Sequence, residues 1–125
     1  RIESLILGKS IKDALKRADK YSRSGADGIL IHSKKNNPKE IFEFSKKFQK
    51  IVDKCVLAAV PSTYSKTTER MLIKNNFKIV IYANQLLRSI YPAMVRTAKT
   101  ILKNERSSEA EKEIENISNI ISLFK

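Results

Sequence analysis

The residues of this sequence whose types could do chemistry follow short apolar runs. His32, the single histidine, comes directly after the run 29–31, and Thr63 and Tyr64 come just after the run 55–60. Guanidinium, imidazole, hydroxyl and amide groups donate hydrogen bonds to anions, so such a set suits a substrate that carries a phosphate or carboxylate group. The candidate site residues are Arg1, Glu3, His32, Ser33, Thr63, Tyr64, Asn84 and Gln85.

Three of these candidates also have a purely structural interpretation. A histidine at the end of a strand is often a hydrogen-bonded structural residue, Tyr64 could pack over the end of the sheet, and Asn84 could cap the following helix. No Ser-His-Asp or Cys-His arrangement is readable, and Glu3 is the one acidic residue among the candidates. The sequence therefore predicts no metal ligands in this segment.

The apolar pattern alternates between short continuous runs and helical spacing. Strands are predicted over 26–32, 55–60 and 78–82, and residues 2–7 fit the end of a strand or a loop. Helices are predicted from the Ser10 cap to Gly25, from Pro38 past Phe48, and from Thr67 to 75–76. A longer helix is predicted over 85–103 with a kink or restart at Pro92, followed by a last amphipathic helix from Ser108.

Strands that alternate with helices indicate a parallel sheet with right-handed crossovers. The 125 residues form one domain or part of one. A doubly wound sheet and part of a (β/α) barrel both fit this order, but no glycine-rich phosphate-binding turn follows a strand, which weakens the Rossmann interpretation. In both architectures functional side chains gather at the carboxyl ends of the strands, where the candidate residues fall.

The net charge of +12, from 25 Lys and Arg against 13 Asp and Glu, is compatible with nucleic-acid binding. The lysines are scattered over several predicted helices, however, and no stripe of basic and aromatic residues is present. We therefore predict no nucleic-acid partner and keep a basic α/β module that binds nucleic acid as an alternative. The sequence has no long apolar run that would span a membrane.

The surroundings of the protein are predicted from its single cysteine and its first residues. Cys55 cannot form an internal disulfide and is predicted to be a buried strand residue in a reducing environment. The first residues lack the basic and then apolar layout of a signal peptide, and no initiator Met is present. A cytoplasmic location is therefore expected.

The sequence resembles the phosphoenolpyruvate mutase family, within the isocitrate lyase/phosphoenolpyruvate mutase superfamily. The similar stretches are 1–8 (RIESLILG), 13–18 (DALKRA), 25–34 (GADGILIHSK), 60–64 (VPSTY), 80–84 (VIYAN), 87–89 (LRS) and 92–94 (PAM). They occur in the family's order with similar spacing over essentially the whole chain. The lyase members carry a glutamate where this chain has His32, which favours the members that act on phosphonates.

The resemblance implies an α/β fold that is the C-terminal half of a (β/α)8 TIM-type barrel over 1–104, with an appended C-terminal helix over 105–125. It implies an isomerase that interconverts phosphoenolpyruvate and phosphonopyruvate with Mg²⁺, forming a carbon–phosphorus bond in phosphonate biosynthesis. Arg1 matches the family arginine that holds the phosphoryl end of the substrate. His32 matches the histidine that also contacts this group. Both are therefore expected to be catalytic and substrate-binding residues.

The resemblance also has limits that define the alternatives. A phosphonopyruvate hydrolase resembles the mutase over this same region, and the family's metal ligands and lysine-containing gating loop lie before Arg1. The chain is therefore expected to need the remainder of the parent barrel. The family usually has a threonine where this chain has Ser62, and a histidine where it has Gln85. A hydrogen bond made by the imidazole of that family histidine is therefore in question for this chain. The resemblance implies a homodimer or a dimer of dimers formed through the last helices, and packing of these helices on the chain's own barrel is the alternative.

Overall fold

The computed structural model describes residues 1–52 and 54–124, which form two compact units, Arg1–Ala83 and Asn84–Lys125. In the first unit, strands and helices alternate as the sequence predicts. Its elements are α1 (Ile11–Arg23), β1 (Gly28–Ile31), α2 (Lys39–Phe48), β2 (Val56–Ala59), α3 (Glu69–Lys74) and β3 (Phe77–Val80). The second unit contains α4 (Gln85–Asn104), a 3₁₀ turn (Ala110–Lys112) and α5 (Ile117–Ser122).

The sheet of the first unit has the order β1-β2-β3, and both pairs of strands are parallel. Ile31 at the end of β1 is level with Ala59 at the end of β2. Ile2 forms a further parallel bridge with Ile31, and its amide donates to the Leu30 carbonyl at 2.9 Å. The residues on either side of Ile2 therefore lie beside the carboxyl end of β1, as the sequence predicted.

The core of the first unit lies between the sheet and its helices. Apolar residues at helical spacing face inward on α2, where Ile41, Phe44 and Phe48 are buried. On α1 the buried residues are Ala14 and Ala18, whose small side chains allow close approach of the helix. The two helices contact each other beside the sheet. This packing fixes the strand ends on which the candidate site residues lie.

In the first unit, the beginnings and ends of the helices agree with the predicted signals to within a residue or two. Ser10 caps α1 by accepting a hydrogen bond from the Asp13 amide at 3.2 Å, and Gly25 after the helix has a φ of +93°. Pro38 was predicted as the first helical residue of α2, but it occupies the cap position instead. Helix boundaries commonly shift by one residue because the N–H groups of the first turn have no acceptor within the helix.

The second unit differs from its prediction at two places. The predicted restart at Pro92 does not occur, since α4 continues through this residue despite the lost backbone donor. The last helix was predicted to begin at Ser108, but α5 begins after Asn116, whose side chain accepts from the Ser118 amide at 2.9 Å. A side-chain cap of this kind favours a helix start, which explains the later position. The predicted boundary between 104 and 105 stays a prediction.

None of the helices in the described part of the chain is long and apolar enough to cross a membrane.

Candidate active site

The predicted site residues of the first unit gather at one edge of the sheet. His32 and Ser33 follow β1, and Thr63 and Tyr64 lie in the loop that follows β2. Arg1 and Glu3 join this edge because Ile2 pairs beside the last residue of β1. We call this edge the rim, defined by Arg1, Glu3, His32, Ser33, Ser62, Thr63 and Tyr64. Parallel strands bring their carboxyl ends together, which is why residues far apart in sequence meet here.

His32 is half-buried, and its ring centroid lies 6.3 Å from that of Tyr64. The pKa of His32 is lowered, first because burial removes water from the ring and then because Arg1 is positively charged. Glu3 and the Val60 backbone oppose this shift. Since an ordinary histidine has a pKa near ~6.5, the ring is mainly neutral at neutral pH. It can donate one N–H to an anion and accept at its other nitrogen.

Arg1 forms an ion pair with Glu3, with 2.5 Å between Nε and Oε1. Both side chains are partly exposed, at 57% for Arg1 and 44% for Glu3. This contact uses Nε, one of three guanidinium nitrogens, and so orients the side chain while the remaining N–H groups can serve an anion. Arg1 and His32 therefore present a permanent positive charge and a neutral donor at the same rim.

Tyr64 combines a position in the core with a polar group at the rim. Its side chain is fully buried, and burial raises the pKa of its phenol to about 12. The Tyr64 hydroxyl and the Ser62 hydroxyl are buried and have no hydrogen-bond partner among the described residues. The packing interpretation is therefore correct for the ring of Tyr64, whereas a role of its hydroxyl in substrate binding stays a prediction.

Ser33 and Thr63 belong to a hydrogen-bonded cluster that also contains a residue not predicted from the sequence. The Ser33 hydroxyl donates to the Glu40 carboxylate, and the Thr63 hydroxyl donates to the Ser33 carbonyl at 2.7 Å. The sequence marked Glu40 only as part of a helix start. The spacing of seven residues between Ser33 and Glu40 does not predict a contact, because that contact depends on the path of the loop between β1 and α2.

Asn84 and Gln85 lie in the second unit, at the start of α4. Asn84 occupies the cap position of α4, as the capping interpretation predicted, but its side chain makes no capping hydrogen bond. Its Oδ1 atom is buried and has no hydrogen-bond partner in the described residues, and the backbone N–H of Asn84 donates to Gln85 Oε1 at 3.2 Å. A shared role of these two residues with the rim stays a prediction.

The described residues contain no group of three or more His, Cys, Asp or Glu side chains placed to hold a metal ion. The two acidic residues nearest the rim already have partners, Glu3 with Arg1 and Glu40 with Ser33 and Lys35. The described residues therefore do not fit a Mg²⁺ site.

The parallel sheet with polar groups at its carboxyl edge fits both a doubly wound sheet and a segment of a (β/α) barrel, and similar solved structures favour the barrel. The structure of phosphoenolpyruvate phosphomutase from Streptomyces platensis subsp. rosaceus superposes with a TM-score of 0.89 and 33% identity, over 98% of this chain and 42% of that one. A structure of phosphonopyruvate hydrolase gives a TM-score of 0.86 with 32% identity, over 98% and 43%. The predicted fold class, part of a TIM-type barrel, is confirmed.

Sequence comparisons identify the family. The family model described as phosphoenolpyruvate phosphomutase matches residues 1–102, and the chain belongs to this family. It is 32% identical to the phosphoenolpyruvate phosphomutase of Tetrahymena pyriformis, over 98% of this chain and 40% of that protein. It is also 32% identical to the phosphonopyruvate hydrolase of Variovorax sp. (strain Pal2), over 98% and 42%. The chain thus spans about 40% of the length of the curated relatives it matches.

Proposed function

We propose that the complete protein is a phosphoenolpyruvate mutase, which interconverts phosphoenolpyruvate and phosphonopyruvate. In this proposal the chain supplies the substrate-binding residues Arg1 and His32. The observation that carries it is the rim, where a guanidinium and a neutral imidazole meet at the strand ends of a chain that belongs to this family. The physiological role would be formation of a carbon–phosphorus bond in phosphonate biosynthesis.

The chemistry requires the phosphoryl group to move within one molecule. From phosphonopyruvate, the carbon–phosphorus bond breaks and an oxygen–phosphorus bond forms at the enolate oxygen, so no atom is gained or lost. Such transfers depend on positioning and charge neutralisation more than on covalent help. Arg1 would bind the phosphoryl oxygens with a charge that does not titrate, and His32 would donate its N–H to the same group.

Magnesium is part of this proposal, although the described residues of the chain offer no site for it. A structure of phosphonopyruvate hydrolase in complex with oxalate and Mg²⁺ is similar to this chain, with a TM-score of 0.86, which supports a role for the ion in the family. We assign its ligands to the part of the complete protein outside this chain and assign no step to the ion here.

Phosphonopyruvate hydrolase is the second candidate. The 32% identity to the Variovorax hydrolase equals the identity to the Tetrahymena mutase, so overall similarity does not separate the two. In a hydrolase, water would accept the phosphoryl group and the products would be pyruvate and inorganic phosphate. The relatives are named as enzymes of small phosphorus compounds, which supports both candidates over the nucleic-acid-binding alternative.

The remainder of the parent barrel is the first partner that we infer. The sheet of the first unit has three strands, and apolar side chains remain exposed on β3 and directly after it, with Ile79 at 46% and Ile81 at 39%. A sheet edge with exposed apolar residues is unstable in water unless other strands or helices cover it. We also infer a cytoplasmic setting, which the free thiol of Cys55 supports.

A second copy of the protein is the other partner that we infer, bound through the C-terminal helices. No residue of α4 is buried, and Leu86, Met94 and Leu102 are 78%, 65% and 78% exposed. An apolar stripe of this kind marks an interface. The test compares the mass of the complete protein by light scattering with that of a Leu102→Glu variant, with Lys103→Glu as control. A dimer or tetramer that dissociates only in Leu102→Glu supports the inference, and an unchanged mass contradicts it.

The first experiment for the proposed function is ³¹P NMR of the complete protein with phosphonopyruvate and Mg²⁺. The variants are Arg1→Ala and, as a matched control, Arg23→Ala, because Arg23 forms an exposed ion pair with Asp19 on α1. We expect a phosphoenolpyruvate signal whose rate of appearance falls on the order of 10²–10³-fold in Arg1→Ala and is unchanged in Arg23→Ala.

Two other outcomes would change the conclusion. A signal of inorganic phosphate in place of phosphoenolpyruvate would identify the hydrolase and contradict the mutase. An unchanged spectrum of phosphonopyruvate would contradict both enzymes, and salt-dependent binding of DNA or RNA in that case would favour the nucleic-acid alternative.

A further inference from the structure

The orientation of His32 is not explained by the hydrogen bonds of its own ring. Nδ1 is buried and has no hydrogen-bond partner among the residues that the structure describes. The Val60 backbone lies near enough to favour the protonated ring, but no hydrogen bond of good geometry reaches Nδ1. Histidines with a defined role are usually oriented by a partner on one ring nitrogen. The position of this ring must therefore come from its packing and from the backbone that carries it.

The backbone directly after His32 is held from the neighbouring strand exit. The Thr63 hydroxyl donates to the carbonyl of Ser33 at 2.7 Å, which joins the loop after β2 to the loop after β1. Ser33 itself is fully buried, with an exposure of 0%. Because a buried backbone carbonyl without a partner is costly, this hydrogen bond favours one arrangement of the two strand exits.

The side chain of Ser33 is held by Glu40, in the first turn of α2. The Ser33 hydroxyl donates to one carboxylate oxygen of Glu40 and accepts from the Lys35 amide at 3.0 Å. The other carboxylate oxygen lies 2.6 Å from Lys35 Nζ. Glu40 is only 12% exposed, so water competes weakly for these contacts. A carboxylate near a helix N-terminus is also favoured by the helix dipole.

Glu43, one turn further along α2, shows how specific this arrangement is. Its side chain is 53% exposed and pairs with Lys47 on the same helix, with 2.6 Å between the charged atoms. This pair has the form of an ordinary surface ion pair, which contributes little to structure. Glu40 instead connects two residues of the loop that follows His32. The two glutamates therefore form a matched pair for experiment.

We propose that Ser33, Lys35, Glu40 and Thr63 form a clasp that positions the His32 ring at the rim. Glu40 is a positioning residue for the phosphoryl-binding histidine, and Thr63 fixes the same loop from the β2 side. The effect on the reaction rests on the proposed function, whereas the effect on the ring itself does not. Loss of the clasp lets the loop after β1 relax and moves the imidazole toward water.

The first test measures the titration of His32 in the complete protein by ¹⁵N-histidine NMR without substrate, with the signal assigned from a His32→Gln variant. In Glu40→Gln we expect the pKa of His32 to rise toward its ordinary value, while Glu43→Gln matches the wild type. The neighbouring charged groups, Arg1 and Glu3, are unchanged in both variants. Removing a carboxylate would by itself lower a histidine pKa, so a rise reports movement of the ring toward water.

The second test separates positioning from general stability. Thr63→Val keeps the shape of the side chain and removes its donor, and Thr63→Ser restores the donor. For turnover of phosphonopyruvate we expect kcat/KM to fall on the order of ten- to a hundredfold in Thr63→Val and to recover in Thr63→Ser. The unfolding midpoint should fall only modestly in Thr63→Val, because the Ser33 carbonyl loses its partner while the protein stays folded under assay conditions. The same Thr63→Val protein should also show the raised His32 pKa.

The outcomes distinguish failure of the clasp from failure of the proposed function. A wild-type protein without turnover contradicts the proposed function, and the NMR titration still decides whether the clasp positions the ring. If His32 titrates as in the wild type in both Glu40→Gln and Thr63→Val, the clasp is refuted. Variants that lower only the unfolding midpoint, with kcat and KM unchanged, also refute it.

Discussion

The two units of the molecule carry similar amphipathic helices but use them differently. In Arg1–Ala83 the apolar residues of α2 are buried, with Ile41 and Phe44 at 0% exposure. In Asn84–Lys125, α4 has apolar residues at comparable spacing, yet none of them is buried. Amphipathic patterning shows which face of a helix will be covered but leaves open what covers it. The first unit supplies that cover within itself, whereas the second unit presents its apolar face outward.

The largest contrast between the units is expected for removal of one large apolar side chain. Phe44→Ala leaves a cavity in a packed core and should lower the free energy of unfolding of the complete protein by about 3–5 kcal/mol. Leu86→Ala, at a position that is 78% exposed within this chain, should cost clearly less than Phe44→Ala, and a loss above about 0.5 kcal/mol would come from the second copy that we infer to cover α4. Urea denaturation of the two variants measures both. A comparable loss in Leu86→Ala would show that α4 is covered in the complete protein.

A smaller contrast is expected at the first residues of the helices. Ser10 accepts a hydrogen bond from the Asp13 amide at the start of α1, whereas Asn84 makes no such bond at the start of α4. Ser10→Ala should therefore cost about 1 kcal/mol of stability. Asn84→Ala should cost less than about 0.5 kcal/mol. If denaturation shows equal losses for the two variants, then Asn84 contributes to stability through contacts other than a cap.

The hydroxyl of Tyr64 provides a test within the first unit. It is buried without a hydrogen-bond partner among the described residues, so Tyr64→Phe removes an unpaired polar group and keeps the packed ring. We expect stability to be unchanged or to rise by up to about 1 kcal/mol. Thermal or urea unfolding provides the measurement. A loss of stability would show that the hydroxyl has a partner in the complete protein.

The smallest effect concerns pH. Burial lowers the pKa of His32 in the folded protein below its pKa in the unfolded chain. At a pH between these two values, the unfolded state therefore binds more protons than the folded state. The stability that the neutral His32 ring contributes is fully present above the ordinary histidine pKa of about 6.5. It is lost as the pH falls through the pKa of His32 in the folded state. Between pH 7 and 5 the wild type should therefore lose slightly more stability than His32→Gln. Equal slopes in a series of denaturation curves would contradict the lowered pKa.

Much of the fold and part of the site could be predicted from the sequence. Alternation of apolar runs with helical spacing predicted the parallel sheet, and the rule that function lies at the carboxyl ends of strands located the residues near His32 and Thr63. The predicted start of the last helix at Ser108 was wrong, and α4 does not restart at Pro92, whereas the alternative of a kink there stays a prediction. Local signals compete, and the sequence does not show which of them prevails.

Glu40 could not be predicted, for a reason that applies to the whole clasp. Its contact with Ser33 depends on the path of the loop between β1 and α2, and the contact of Thr63 with Ser33 joins residues thirty positions apart. Likewise, the sequence placed Tyr64 at the rim but did not show that its ring would be fully buried. Contacts of this kind follow from tertiary packing, which the periodicity of apolar residues does not predict.

The sequence by itself determined the class of fold, the parallel order of the strands, and the carboxyl edge of the sheet at which the His32 imidazole and the Arg1 guanidinium lie. These follow from local patterns, because apolar spacing selects strand or helix and parallel strands share one functional edge. Only the tertiary structure decided that burial and Arg1 lower the pKa of His32, and that Glu40 and Thr63 hold the loop behind it. Desolvation and hydrogen-bond geometry depend on distances between residues remote in sequence, and the folded chain alone fixes those distances.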